Sequence, residues 1–205
     1  MKEIATVRFL GQCLPRNPGG IACYAYIIRN KNGRLLHEAC GLAAEPNSSS
    51  STTSIASYTG LIKALEWLTN EGYTKEIIKV YGNSKLVISQ INDREVDNND
   101  NNSISKNTFP LYAKVMRLKS KFYYISFELA DDYNNEHIDD KEIEELSVLA
   151  YLEAKTEILE QGRSSSNKIY DKSGEAEKKK KLFYTAAELM MTSKITERPF
   201  SLDML

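Results

Sequence analysis

The sequence lacks long apolar runs and has few cysteines. No stretch approaches the roughly 18 apolar residues that a membrane-spanning helix needs, so no span is predicted. The three cysteines are too few and too irregularly spaced for a disulfide framework or a zinc site, which favours reduced thiols. The opening residues, MKEIATVRFL, enter a strand pattern directly. We therefore expect no signal peptide and a cytoplasmic location.

An excess of charge of either sign is also absent. The 205 residues include 27 Lys and Arg against 28 Asp and Glu, for a formal net charge of −1. Global charge therefore does not draw the chain to nucleic acid or membrane, and such binding would need a local patch. Hydrophobic residues make up 41% of the chain, which is enough for a core. The length suits one domain of roughly 150 residues with an appendage.

What the sequence does contain is a series of strand and helix patterns. Residues 2–10 form the first strand pattern, a Gly- and Pro-rich loop follows at 11–20, and an Asn-Gly turn then separates two further strands. Helical periodicity starts at Ile55, after hydroxyl side chains that can cap a helix. The complete order is βββ-α-β-α-α-β-α, with later elements predicted at 76–82, 84–92, 110–121, 122–130 and 141–161. A strand–helix–strand crossover implies a parallel pair, so we predict an α/β fold with a mixed sheet.

Composition also suggests a division of the chain. We predict a domain over residues 1–161, a mobile polar loop inside it at 93–108, a linker at 162–174, and a C-terminal helix and tail at 175–205. The terminal helix either packs back on the domain or forms an appendage. Its basic run, Lys178–Lys181, is either a solvated helix start or a contact for phosphate or an acidic partner.

Five segments of the chain match the motifs of one known protein family. FLGQCLPRNPGG at 9–20 resembles the first-strand motif, in which an aromatic-Asp-Gly sequence precedes a loop ending in Asn-Pro-Gly-Gly. The other four are TSIASYTGLIKAL at 53–65, VYGNSKLVISQIN at 80–92, FPLYAKV at 109–115 and DKEIEELSVLAY at 140–151. Together the five segments resemble the type 1 ribonuclease H family, in its archaeal and bacterial-type branch. The resemblance implies the ribonuclease H-like fold: a five-stranded sheet with a three-stranded antiparallel meander plus parallel strands, flanked by helices, here with a C-terminal helical appendage.

The resemblance implies a chemistry that the matching residues do not support. Family members cut the RNA strand of an RNA–DNA hybrid with two Mg²⁺ ions held by four carboxylates. The resemblance places Leu10, Ser57, Asn83 and Glu144 at those four positions, so a single carboxylate remains. Leucine cannot ligate a cation, and one carboxylate cannot hold two mutually repelling ions. We therefore predict no intact catalytic set and no cofactor, with Mg²⁺ or Mn²⁺ needed only if activity remains.

Two ways of keeping a metal site stay open. A different register puts Asp139 or Asp140 near the fourth position. Alternatively, Glu128, Asp131 or Asp132 could contribute to a rebuilt site.

The resemblance retains residues that lie against the nucleic-acid backbone in the family. It implies nucleic-acid contacts for Cys13, which is expected in the loop, and for Asn17, Gly19, Gly20, Thr53, Ser54 and Ser84. A purely structural alternative applies to several of them. The Pro18-Gly19-Gly20 sequence can simply shape a turn into the second strand, and the Ser54 hydroxyl can cap a helix.

Three functions follow from these observations. The first is a catalytically degenerate ribonuclease H-like module that binds nucleic acid weakly, as RNA–DNA hybrid or RNA, or binds a protein. The second is a weak or metal-rearranged RNA–DNA hybrid endoribonuclease. The third is a structural or interaction protein that engages a partner or another copy through residues 175–205. None of the three involves a membrane.

Overall fold

A computed structural model describes residues 4–92, 104–130 and 138–164. The chain divides into two compact units, Met1–Lys155 and Thr156–Leu205, and the fold below is that of the first. Residues 93–103 of the predicted polar loop, residues 165–174 of the predicted linker, and the predicted C-terminal helix with Lys178–Lys181 lie outside the described residues. Within those residues, no helix is both long and apolar enough to cross a membrane.

The described residues form five strands and four helices in the predicted order. The strands are β1 (Ile4–Leu14), β2 (Ile21–Asn30), β3 (Leu35–Leu42), β4 (Ile77–Gly82) and β5 (Tyr124–Leu129). The helices are α1 (Thr53–Asn70), α2 (Lys85–Asn92), α3 (Phe109–Lys119) and α4 (Ile138–Ser164). A single 3-10 turn at Tyr73–Lys75 joins α1 to β4.

The five strands make one mixed sheet in the order β3-β2-β1-β4-β5. Strands β1, β2 and β3 are antiparallel neighbours, whereas β4 pairs in parallel with both β1 and β5. This is the predicted combination of a three-stranded meander with parallel strands, so the fold prediction is confirmed.

The first strand is longer than predicted. β1 continues to Leu14, where Leu14 pairs with Ile21 and Cys13 pairs with Ala22 of β2. The predicted loop at 11–20 is therefore wrong at its start, and so is the loop position of Cys13. The extension arises because β2 begins at Ile21 and offers a hydrogen-bonding partner to β1 as far as Leu14.

The main core lies between the sheet and helices α1, α2 and α3. Side chains alternate along β1, so Ala5, Val7 and Phe9 are buried on this face. The predicted apolar face of α1 is confirmed, since its six residues are all buried: Ile55, Tyr58, Leu61, Ile62, Leu65 and Leu68. Helix α4 contributes Ile143 and Ala150 to burial in this unit, and the Arg29–Glu142 ion pair joins it to β2.

Strand β1 and helix α1 approach each other closely at Gly11. A Cβ atom at Gly11 would lie 2.2 Å from the backbone N of Ser57 and 2.5 Å from its Oγ. Backbone atoms cannot move aside as a flexible side chain can, so this crossing requires glycine. The contact sets the position of the first turns of α1 relative to the end of β1.

We expect Gly11→Ala to lower the free energy of unfolding by about 1–3 kcal/mol, because the added methyl forces β1 and α1 apart. The matched control is Gly41→Ala in β3, where the added Cβ would lie 3.3 Å from the hydroxyl end of the Tyr24 side chain. Urea unfolding of both variants measures the difference. Equal losses in the two variants would contradict the proposed constraint.

Candidate functional site

Three of the four positions matched to carboxylates lie where β1, β4 and α1 meet. The backbone N of Gly11 donates to Oδ1 of Asn83, just after β4, at 3.4 Å. Ser57 lies against Gly11 from the α1 side and is fully buried, and its hydroxyl donates to the Thr53 carbonyl at 2.9 Å. The structure thus brings Ser57 and Asn83 together at Gly11, the residue after Leu10, and intrachain hydrogen bonds engage both polar side chains.

Leu10 lies on the opposite face of the sheet and is part of an apolar cluster. In the sheet register Leu10 pairs with Ala25, which pairs with Cys40 on the next strand. Helix α4 covers this row, and Ile143 and Leu146 join the same cluster. We call this group the Leu10 cluster; its members are Leu10, Ala25, Ile27, Cys40, Ile143 and Leu146. The apolar side chain of Leu10 therefore occupies the position at which the resemblance expects an aspartate.

The remaining acids do not replace that charge within the described residues. Glu144 is exposed on α4, and Glu128 is exposed on β5. Asp139 and Asp140 lie in the first turn of α4, whereas Asp131 is outside the described residues together with its neighbour at 132. Among the residues whose side chains the structure describes, which exclude Asp139 and Asp140, no group of three or more His, Cys, Asp or Glu side chains could hold a metal ion.

The cysteines near the Leu10 cluster do not supply charge either. Burial, together with smaller contributions from the neighbouring Cys40 and Cys13, raises the pKa of the Cys23 thiol to about 12. The pKa of Cys40 is also raised, first by burial and then by Glu153 and Glu38. Both thiols are therefore neutral at physiological pH and provide no thiolate ligand.

The residues at the four matched positions do not fit a pair of magnesium ions. Mg²⁺ needs oxygen ligands in near-octahedral geometry, and carboxylates must offset the repulsion between two ions. Here Leu10 has no ligating atom, the Ser57 hydroxyl is buried and hydrogen-bonded, and Asn83 is neutral. Only Glu144 carries charge.

Hydrogen bonds fix the loop between β1 and β2 to the segment that precedes α1. The Gly19 backbone N donates to the Ser51 carbonyl at 2.9 Å, and the Gly20 carbonyl accepts from the Ser51 hydroxyl at 2.7 Å and from the Asn47 backbone N at 2.9 Å. Gly19 has a φ of +88°, which favours glycine. A Cβ on Gly20 would lie 2.4 Å from the Leu14 carbonyl oxygen. Both glycines therefore have a structural role here.

Cys13 supports the same loop from inside the sheet. Its thiol is buried and donates to the carbonyls of Ser51 at 3.2 Å and Arg16 at 3.1 Å. A nucleic-acid contact at Cys13 stays a prediction, as it does for Gly19 and Gly20.

The start of α1 is capped by residues that the prediction partly missed. The Thr52 hydroxyl accepts from the Ile55 backbone N at 3.2 Å, so Thr52 is the N-cap and the predicted capping by Ser54 is wrong. Ser54 lies instead in the first helical turn. The Asn17 Oδ1 atom accepts from the Thr53 backbone N at 3.2 Å, which joins the loop to the helix.

Ser84 caps the start of α2. The Ser84 hydroxyl accepts from the Val87 backbone N at 3.4 Å, and its carbonyl accepts from Ile88 at 3.0 Å. Whether Ser84 also contacts nucleic acid stays a prediction.

Arg16 is a candidate binding residue that sequence reasoning missed. It is exposed in the loop, and its Nε donates to the Gly19 carbonyl at 2.9 Å, which holds the guanidinium against Gly19. One feature of the sequence could have indicated it: Arg16 is the only Lys or Arg between residues 9 and 28.

The fold and the positions of these residues define a ribonuclease H-like protein. A family model described as "Reverse transcriptase-like" matches residues 16–140, more than half of the chain. The chain therefore belongs to this ribonuclease H-like family, which confirms the resemblance in the sequence motifs.

Solved structures with the same fold include three ribonucleases H. The N-terminal ribonuclease H domain of Rv2228c from Mycobacterium tuberculosis is 21% identical, with 76% of this chain and 98% of that chain covered and a TM-score of 0.60. Ribonuclease H1 from Halobacterium salinarum is 20% identical, with 70% and 96% covered and a TM-score of 0.53. LC11-RNase H1, isolated from compost and solved with an RNA/DNA hybrid, is 21% identical, with 71% and 98% covered and a TM-score of 0.55. At these identities the similarity shows the fold.

We expect Leu10→Asp to cost about 1–3 kcal/mol of stability, because it places a carboxyl group in the Leu10 cluster. Burial raises the pKa of a carboxyl group, so the folded variant should bind a proton more tightly than the unfolded chain does. Its free energy of unfolding should therefore fall as pH rises from about 4 to 7.

The control is Leu10→Asn, whose side chain does not titrate, and urea unfolding at several pH values compares the two. Mg²⁺ should not restore the stability of Leu10→Asp. A gain in its stability with Mg²⁺, absent from Leu10→Asn, would contradict the conclusion that the surrounding residues do not fit the metal.

Proposed function

We propose that this protein is a catalytically degenerate ribonuclease H-like module that binds nucleic acid, as RNA–DNA hybrid or RNA, without cutting it. The observation that carries the proposal is the Leu10 cluster, in which the partly buried Leu10 packs against Ala25, Ile27 and Ile143. At that position the family chemistry requires an anionic ligand.

The reaction rate expected to be lost with three carboxylates favours a binding role over a weakly catalytic one. Removing a single group that stabilises a transition state costs on the order of 10²–10³ in rate. Here Leu10, Ser57 and Asn83 replace three charged groups that would act on the same reacting atoms. The effects of such groups are not additive, but the remaining Glu144 cannot supply the charge of all four.

The binding half of the proposal is supported by the loop between β1 and β2. LC11-RNase H1, which has the same fold, was solved with an RNA/DNA hybrid. In this chain the loop is fixed by hydrogen bonds from Ser51 and Asn47, so it needs little ordering when a ligand binds. The exposed Arg16 guanidinium and Asn17 amide are the donors that it offers to phosphate or hydroxyl oxygens.

Cleavage of a labelled RNA–DNA hybrid tests the catalytic half of the proposal. We expect no cleavage above background with Mg²⁺ or Mn²⁺, and no difference between the native protein and Glu144→Ala. Cleavage that Glu144→Ala abolishes would instead establish the metal-rearranged endoribonuclease.

Binding of the same hybrid in a buffer without divalent ions tests the proposed nucleic-acid binding. Arg16→Gln should weaken binding and reduce the salt slope, d log K/d log [salt], by about 1, because one phosphate contact is lost. Lys31→Gln, in the exposed turn between β2 and β3, is the matched control. If native protein bound neither hybrid nor RNA at low salt, an interaction role through residues 175–205 would replace nucleic-acid binding.

A further inference from the structure

Helix α3 and its flanking residues carry a concentration of positive charge. Residues 104–127 contain five basic side chains and no Asp or Glu, although the whole chain has a net charge of −1. The five are Lys106, Lys114, Arg117, Lys119 and Lys121. The rest of the chain is correspondingly acidic, so this patch is a local feature of the kind that nucleic-acid binding requires.

Three of these cations are exposed on α3 or directly after it. Lys114 and Arg117 lie on α3 itself at i and i+3, and Lys121 follows the C-cap residue Ser120. Val115 and Leu118 of the same helix are buried and hold α3 against the core. We call Lys114, Arg117 and Lys121 the α3 stripe.

Two of the five cations already have partners within the protein. The Lys114 Nζ lies 2.7 Å from Oε1 of Glu66 on α1. The Lys119 Nζ donates to the Ile91 carbonyl at 3.1 Å and lies over the Phe127 ring. Arg117 and Lys121 are therefore the members of the set best placed to meet an external anion.

Exposed aromatic rings flank the α3 stripe. Phe109, at the start of α3, has 58% of its surface exposed, and Tyr123, two residues after Lys121, has 72% exposed. Cations alone would suit any polyanion, including an acidic protein. Cations combined with exposed rings favour single-stranded nucleic acid, because the bases can stack on the rings while the phosphates meet the cations.

We propose that the α3 stripe with Phe109 and Tyr123 is a second nucleic-acid-binding surface, which takes single-stranded RNA or DNA. The proposal rests on the proposed function, since it assumes a nucleic-acid-binding module. It adds a surface separate from the loop at Arg16. A protein with both could hold a hybrid at the loop and a flanking single strand along α3.

Fluorescence anisotropy on the full chain tests the proposal, with labelled oligothymidylate and oligouridylate of about 15 nucleotides. Arg117→Gln/Lys121→Gln should weaken binding of both probes and reduce the salt slope by about 1.4, because two phosphate contacts are lost. The matched control is Lys31→Gln/Arg34→Gln, which removes one exposed Lys and one exposed Arg from the turn between β2 and β3. It should leave affinity and slope unchanged.

Phe109→Ala tests the stacking contribution separately. It should reduce affinity by about tenfold while the salt slope stays constant, because a stacked base is lost but no phosphate contact is. An unchanged affinity would overturn the role of Phe109 in the surface.

The other outcomes separate this inference from the proposed function. If native protein binds the oligonucleotides and the double variant binds them equally well, the α3 surface is wrong and the proposed function stands. If native protein binds neither oligonucleotides nor hybrid, both are wrong. A double variant that loses binding to polyglutamate but keeps oligonucleotide binding would assign α3 to an acidic protein instead.

Discussion

The close approach of β1 and α1 at Gly11 is the contact on which the site depends. β1 is the central strand of the sheet, and α1 crosses it at Ser57, where a side chain on Gly11 would overlap the helix backbone. This crossing places the start of α1 beside the ends of β1 and β4, so Asn83 can accept a hydrogen bond from Gly11. The fold thereby builds the meeting point of strands and helix whether or not carboxylates are present there.

The proposed function depends on the residue at position 10, directly before Gly11. Leu10 faces α4 and packs with Ile143, so the position adds to stability instead of charge. The neighbouring glycine loop has structural reasons to persist, because Gly20 sits where no Cβ fits and its carbonyl accepts two hydrogen bonds. Retained loop motifs are therefore weak support for a retained reaction, whereas the residue at position 10 bears on the reaction directly.

The parts of the fold that local patterns encode could be predicted from the sequence. The order of elements, the hairpin at the Asn-Gly turn and the apolar face of α1 follow from periodicity and turn chemistry. The end of β1 could not be predicted in this way, since its extension to Leu14 depends on pairing with β2. The choice of Thr52 over Ser54 as N-cap depends on where the chain leaves the loop, because both hydroxyls are chemically suitable.

The features of the site that were missed depend on contacts between distant residues or on local charge. The Leu10 cluster brings β1 together with a helix that begins at Ile138, and no local pattern records that contact. The matched positions themselves came from the motifs, and in the structure Ser57 and Asn83 both contact Gly11 of β1. The net charge of the whole chain concealed the segment 104–127 around α3, which has five basic residues and no acidic one.

Paramagnetic broadening by Mn²⁺ in amide NMR spectra tests the central claim most directly, because it detects cation binding near named amides without requiring turnover. The claim is that the meeting point of β1, β4 and α1 does not hold divalent metal. It predicts that the amides of Gly11 and Asn83 broaden no more than that of an isolated exposed acid such as Glu45. Selective and saturable broadening of Gly11 and Asn83, reversed by excess Mg²⁺, would contradict it.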